Sequence, residues 1–234
     1  MGHFWVGSMC LAASSSSSSS FPRGVAAVTD TITIREDMGN RMPGRSWMLY
    51  LLEVFDRRNV PIELNLICQF NDRDNFWAIF GGVNRYKFTK VLPIVGHSYL
   101  RQIVMRKDSR SIEYSVTDQN TKETENFVFN AGGGRVGITY EGKDQFTGIE
   151  WWNKAGGPPF PVRYRVEVSN LMYGIPDDVS LAITYRPYSR LMPNSDSAGA
   201  RYPVLFDKPM IKDGCICYAV ADGASNSGMK FALA

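Results

Sequence analysis

Histidine is nearly absent from this chain of 234 residues: His3 and His97 are the only two. A zinc site draws four ligands from His, Cys and carboxylates, and Cys10, Cys68, Cys215 and Cys217 add only a thin scatter of thiols. No metal and no cofactor is expected. The same shortage leaves any Ser-His-Asp or Cys-His arrangement with His97 as its one candidate base. No apolar run reaches the ~18–20 residues that cross a bilayer as a helix. Gly132-Gly133-Gly134 lacks the following Lys-Ser/Thr of a phosphate-binding loop. Asp72 and Asp74 are too few carboxylates for a calcium loop. Charge of one sign is scarce as well. The net value is +3, too mild to demand a nucleic acid. Arg101, Arg106, Lys107 and Arg110 form a modest basic patch without interleaved aromatics, and it reads as a solvated face.

What the chain does have is apolar material. Residues of hydrophobic type make up 44% and aromatics 12%, enough for one sizeable core and too much for disorder along most of the length. Residues 1–24 stand apart. An apolar segment, Phe4 to Ala13, runs into the serines Ser14 to Ser20. Small residues after a short apolar stretch resemble the end of an export signal, and serine-rich composition equally suits a disordered tail. A single domain is expected over residues 25–234. If the first segment is removed, three cysteines remain; they read as buried thiols behaving as small hydrophobes, with a bridge from Cys68 to Cys215 or Cys217 as the alternative.

Strand signals dominate from Val25 onward. Ile112, Tyr114 and Val116 alternate with Ser111, Glu113, Ser115 and Thr117. Val162, Tyr164, Val166 and Val168 alternate with Arg163, Arg165 and Glu167. Leu181, Ile183 and Tyr185 alternate with Ala182, Thr184 and Arg186. Period two with one wet face means antiparallel sheet. Strands are predicted near 25–34, 47–55, 62–70, 76–81, 86–95, 98–107, 111–118, 125–130, 146–153, 161–173, 179–186, 203–206, 215–221 and 229–233. Only Trp47–Phe55 also suits a helix. Asp118-Gln119-Asn120-Thr121 reads as a hairpin turn, and Ala155 to Pro159 and Asp222 to Asn226 as loops. Many short strands with regular turns predict an all-β, antiparallel β-sandwich of jelly-roll or concanavalin-like type.

Two strands carry polar groups where a groove can use them. Ile62, Leu64, Leu66, Cys68 and Phe70 make one face, and Glu63, Asn65, Ile67 and Gln69 the other. In Phe146 to Asn153, Phe146, Gly148, Glu150 and Trp152 share a face. A carboxylate between two aromatics can bond sugar hydroxyls while an indole stacks on the ring face. In a dry groove it can serve instead as a general acid or base. The plain alternative is that the tryptophans pack and Glu150 pairs with an arginine.

The stretch from Ile62 to Asn153 resembles the concanavalin-like sandwich of the glutamic peptidases (eqolisins). Gln69 in Leu66-Ile67-Cys68-Gln69 and Glu150 in Ile149-Glu150-Trp151-Trp152 fall where that family carries its catalytic glutamine and glutamate. The resemblance implies acid hydrolysis of peptide bonds. Glu150 would be the general base and then the acid, and Gln69 would hydrogen-bond the tetrahedral oxyanion.

Two functions follow as expectations. The first is a secreted or cell-surface, non-catalytic sandwich. It binds a saccharide or other extended polymer through Phe146, Glu150, Trp152, Asn65 and Gln69, or assembles with copies of itself. The second is an acid endopeptidase with Glu150 and Gln69 as its catalytic pair, which requires the two on adjacent strands.

Overall fold

The computed structural model describes residues 2–11, 24–35, 46–69, 75–81, 84–130, 138–153, 166–187, 190–196, 205–206, 210–212, 215–221 and 229–232. Every regular element among them is a strand. In chain order these are β1 (Gly2–Leu11), β2 (Ala27–Ile34), β3 (Ser46–Asp56), β4 (Pro61–Glu63), β5 (Asn65–Gln69), β6 (Phe76–Gly81), β7 (Asn84–Lys87), β8 (Ser98–Arg106) and β9 (Ser111–Asp118). They continue as β10 (Thr124–Asn130), β11 (Gly142–Asn153), β12 (Val166–Pro176), β13 (Ile183–Pro187), β14 (Arg190–Asp196), β15 (Leu205–Phe206), β16 (Met210–Lys212), β17 (Cys215–Ala221) and β18 (Met229–Ala232).

The strands make two sheets. The first has 8 strands in the order β14-β1-β11-β3-β5-β6-β7, with β4 beside β3. The second has 10 in the order β10-β9-β8-β2-β12-β18-β17-β15, with β13 on β12 and β16 on β17. Pairing is antiparallel throughout, except for a short parallel contact of β12 with β18. The fold is an all-β antiparallel sandwich, as the period-two alternation predicts.

The core lies between the sheets. Tyr50, Leu52, Val54, Ile62, Leu64, Leu66, Trp77 and Ile79 of the first sheet meet Val28, Ile32, Tyr99, Ile103, Ile112, Tyr114, Val116 and Val168 of the second. Ile112, Tyr114 and Val116, and Ile62, Leu64 and Leu66, are the sides of their strands that face the main core, while Glu63, Asn65 and Ile67 on the opposite side are buried as well. The segment that also suited a helix is β3, and its apolar residues are not confined to one stripe. Leu49 and Leu51 point away from the main core, into a smaller cluster with Ile67 and Ala78 on the other side of the sheet. A central strand covered on both faces reads as a continuous apolar run.

One polar pin crosses the sandwich. Arg101 on β8 lies directly opposite Asp30 on β2. Its Nε donates to Asp30 Oδ1 at 2.9 Å and its Nη2 to Oδ2 at 2.6 Å. Nη1 then reaches the other sheet, donating to the carbonyls of Tyr50 at 2.7 Å and Leu64 at 3.0 Å. Both side chains are fully buried. Arg101 therefore does not belong to the basic patch expected of it. Its charge is tolerated in the core because carboxylate and carbonyl oxygens satisfy the guanidinium fork.

Gly2–Leu11, the start of the segment read as an export signal or serine-rich tail, forms β1 between β11 and β14. Other departures have local causes. The strand predicted at 86–95 stops at Lys87. Glu125 then takes the N–H groups of Thr89, Lys90 and Val91, which would otherwise extend the ladder. Leu181 is not in a strand. It closes the Asp177–Ala182 turn at φ 56°, and β13 begins at Ile183. Residues 161–165 of the strand predicted at 161–173 lie outside the described residues, as do the loops 155–159 and 222–226. The strand near 203–206 is β15. The sequence showed no signal for β14 or β16. Asp118 does make the expected hairpin turn, its Oδ1 accepting from Asn120 N at 2.8 Å and Thr121 N at 3.3 Å.

Candidate functional site

The candidate positions stand on the first sheet, and of their side chains only that of Asn65 is among those described. Three consecutive strands, β11, β3 and β5, carry them. Glu150 is in register with Leu49 of β3, and Leu49 with Ile67 of β5. One step along, Trp152 is in register with Trp47, and Trp47 with Gln69. Because directly paired residues share a sheet face and positions two apart repeat it, Glu150, Trp152, Trp47, Gln69, Leu49 and Ile67 fall on one face. Phe146 joins them opposite Glu53. On the far side of β11, Trp5 of β1 pairs with Glu150, and His3 with Trp152.

Gln69 and Glu150 do not sit on neighbouring strands. β3 runs between β5 and β11, so the two positions are separated by two strand spacings, about 10 Å, and by a two-residue offset along the strands. The requirement of adjacent strands set for a peptidase pair is not met. What the register offers instead is a common face on either side of β3.

Below this row the same face is acidic and tightly built. Glu53 of β3 is directly opposite Glu63 of β4, and both are buried. Asn65 is fully buried, and its Nδ2 donates to Glu63 Oε2 at 2.8 Å. Its Oδ1 has no hydrogen-bond partner among the described residues. Asn65 thus acts on this face through Glu63 rather than from an open surface. The Glu63–Asn65 proximity was legible as two residues of one alternating face. Glu53 was not, because it stands inside an apolar run whose two-sidedness only the sheet reveals.

The remaining titratable groups have structural partners. His97 Nδ1 donates to Asp118 Oδ2 at 2.7 Å. Burial pushes the Asp118 carboxyl up, but hydrogen bonds from His97 and from the Asn120 and Thr121 N–H groups outweigh it and leave the group below its usual range. This pair latches the start of β8 to the end of β9. At the opposite end of the sandwich, an open cleft of about 360 Å³ lies between Met105–Asp108, Tyr140, Glu141 and the Asp177–Ile183 turn. There Glu141 Oε1 accepts from Arg57 Nη2 at 2.5 Å and from Gly24 N at 2.9 Å. No group of three or more His, Cys, Asp or Glu side chains is arranged to hold a metal ion among the described residues. No helix of the described residues is long and apolar enough to cross a membrane.

No protein-family model matches the sequence, and no curated protein does. Solved structures with a similar layout include SCP-B, a member of the eqolisin family of peptidases, in complex with the tripeptide Ala-Ile-His. It is 10% identical, over 86% of this chain and 92% of that one, with a TM-score of 0.48. Scytalido-glutamic peptidase with a transition-state analogue inhibitor is 8% identical, over 90% of this chain and 94% of that one, with a TM-score of 0.47. Peanut lectin is 9% identical, over 58% of this chain and 72% of that one, with a TM-score of 0.33. The resemblance to glutamic peptidases is faint and extends over most of the chain. It assigns no activity.

Proposed function

We propose that this protein is a binding module that holds an extended saccharide across the outer face of its first sheet. What supports the reading is the register. Trp152 and Trp47 are direct neighbours on β11 and β3, with Glu150 and Gln69 on the same face at either side. Tryptophans at paired positions of neighbouring strands offer apolar surface for sugar rings, and a carboxylate and an amide on the same face offer acceptors and donors for hydroxyls. Phe146 extends the aromatic row. Asn65, held beneath on Glu63, stiffens the acidic end of the face. The extracellular or cell-surface placement is part of the same proposal and rests on the composition of residues 1–24.

The test is titration calorimetry of the full chain against soluble polysaccharides of several linkages. Trp152→Ala and Glu150→Gln are each expected to weaken binding at least tenfold while circular dichroism stays unchanged. No binding by folded protein to any polysaccharide, or binding indifferent to both changes, would sink the saccharide reading. Self-assembly through the sheet edges then becomes the reading to pursue, with sedimentation reporting the oligomer.

A second reading has one specific support, the shared face of Gln69 and Glu150 flanking β3. In it a peptide lies along β3 between an acid/base glutamate and an oxyanion-stabilising glutamine. Digestion of an unstructured protein across the acid range, compared with Glu150→Gln and Gln69→Ala, decides it. Acid-dependent cleavage abolished by both changes establishes a peptidase, and its absence eliminates one.

A further inference from the structure

We infer that the loop between β7 and β8 is a preformed knuckle that docks on a lipid bilayer carrying anionic headgroups. The loop passes from the edge of one sheet to the interior of the other and exposes three large aliphatic residues within four positions. Leu92 is 56% exposed, Ile94 45% and Val95 48%, with Pro93 between them. Single exposed aliphatics are ordinary on a protein surface, whereas a contiguous group marks an interaction surface.

The exposure does not come from looseness. Phe88 and Val91 are buried in the core on the entering side. Glu125 accepts the N–H groups of Thr89, Lys90 and Val91 at 2.9, 2.7 and 3.2 Å. Tyr99 Oη donates to the Leu92 carbonyl at 2.9 Å and accepts from Ile94 N at 2.6 Å. Gly96 turns the chain at φ 89°, where a side chain would be strained, and its N–H donates to the Ile34 carbonyl at 2.7 Å. The tip is therefore held in shape before it meets anything, and docking orders little further backbone.

Charge selects the partner. Residues 84–100 include Arg85, Lys87 and Lys90 and neither Asp nor Glu. Glu125 and Asp118 are buried, and their carboxylates bind the loop's own N–H groups and His97. On the adjoining β9–β10 turn, Lys122 and Glu123 offset each other. An apolar tip on a segment that carries cations and no carboxylate suits the interface of an anionic membrane, where aliphatics enter the headgroup boundary and lysines remain among the phosphates. The apolar tip is separate from the saccharide positions on β11, β3 and β5, although Arg85 and Lys87 stand on the same side of the first sheet, at its β7 edge.

The experiment is co-sedimentation of the full chain with phosphatidylcholine vesicles, with and without phosphatidylserine. Binding is expected only with phosphatidylserine and is expected to fall as salt rises. Lys90→Ala should weaken it about fivefold, one lysine's share of the attraction. The triple change Leu92→Ser, Ile94→Ser, Val95→Ser should reduce it at least tenfold. All of these positions are exposed, so thermal melting should be unchanged, and Ile94→Trp should add blue-shifted fluorescence on the vesicles. No vesicle binding by the folded protein overturns the proposal, as does binding unaffected by the triple change. Self-association that the triple change abolishes, without vesicle binding, overturns it in favour of a second copy of the chain.

Discussion

Replacing Arg101 with methionine removes the pin that joins the two sheets. The wild-type side chain makes two hydrogen bonds to Asp30 and two to the Tyr50 and Leu64 carbonyls of the facing sheet. Methionine fills similar volume and supplies no donor. Asp30, fully buried, is left without its partner. Removing one member of a buried ion pair costs roughly 3–5 kcal/mol, and for a domain of this size each kcal/mol lowers the melting temperature by about 2–4 °C. The expected fall is therefore roughly 6–20 °C. Burial already raises the Asp30 carboxyl above its ordinary 3.8, against the pull of Arg101. Without that pull it rises further. The folded variant then binds a proton that the unfolded chain has released, so its stability falls as pH rises from about 3.8 toward the raised folded value. Below 3.8 both states are protonated and Asp30 adds no pH dependence. Urea titrations at pH 7 and near pH 4 should show a deficit that is larger at pH 7, with the m-value unchanged. Adding Asp30→Leu to Arg101→Met removes the stranded carboxylate and should recover most of the loss. A single variant within about 1 kcal/mol of wild type, below the cost of any broken buried pair, would refute the assignment of Arg101 as a structural pin. A double variant as unstable as the single would refute it too.

Two further changes probe features the sequence did not reveal. Burial pushes the Glu125 carboxyl up, but the Lys90, Thr89 and Val91 N–H groups outweigh it and leave the group lowered from its ordinary 4.5. Its contribution is present above 4.5 and lost as pH falls through the lowered folded value. Glu125→Gln should cost roughly 2 kcal/mol at neutral pH and flatten the acid limb of the stability curve; an unchanged acid limb counts against the N–H cradle. Deleting residues 2–11 takes β1 from between β14 and β11 and exposes β11 as an edge. The shortened chain should melt lower and aggregate on concentration, whereas an identical melt would show that β1 is dispensable and that the segment acts before or outside the fold.

The sequence by itself determined the fold class and most of the strands. Side-chain alternation along a strand is a local property, and a strand with one wet face displays it whatever its neighbours are. Ile112, Tyr114 and Val116 could be assigned to the core for that reason. The common face of Glu63, Asn65 and Gln69 could be recognised in the same way. Tertiary structure decided whatever depended on a partner distant in sequence. Arg101 looked like surface charge because its acceptors come from β2, β3 and the residue before β5. Glu53 was hidden in an apolar run because β3 is covered on both faces. The strand predicted at 86–95 ended early because Glu125, 35 residues beyond Lys90, competed for its N–H groups. The separation of Gln69 from Glu150 by β3 was equally out of reach, since local pattern sets which face a residue occupies and only sheet order sets what lies beside it.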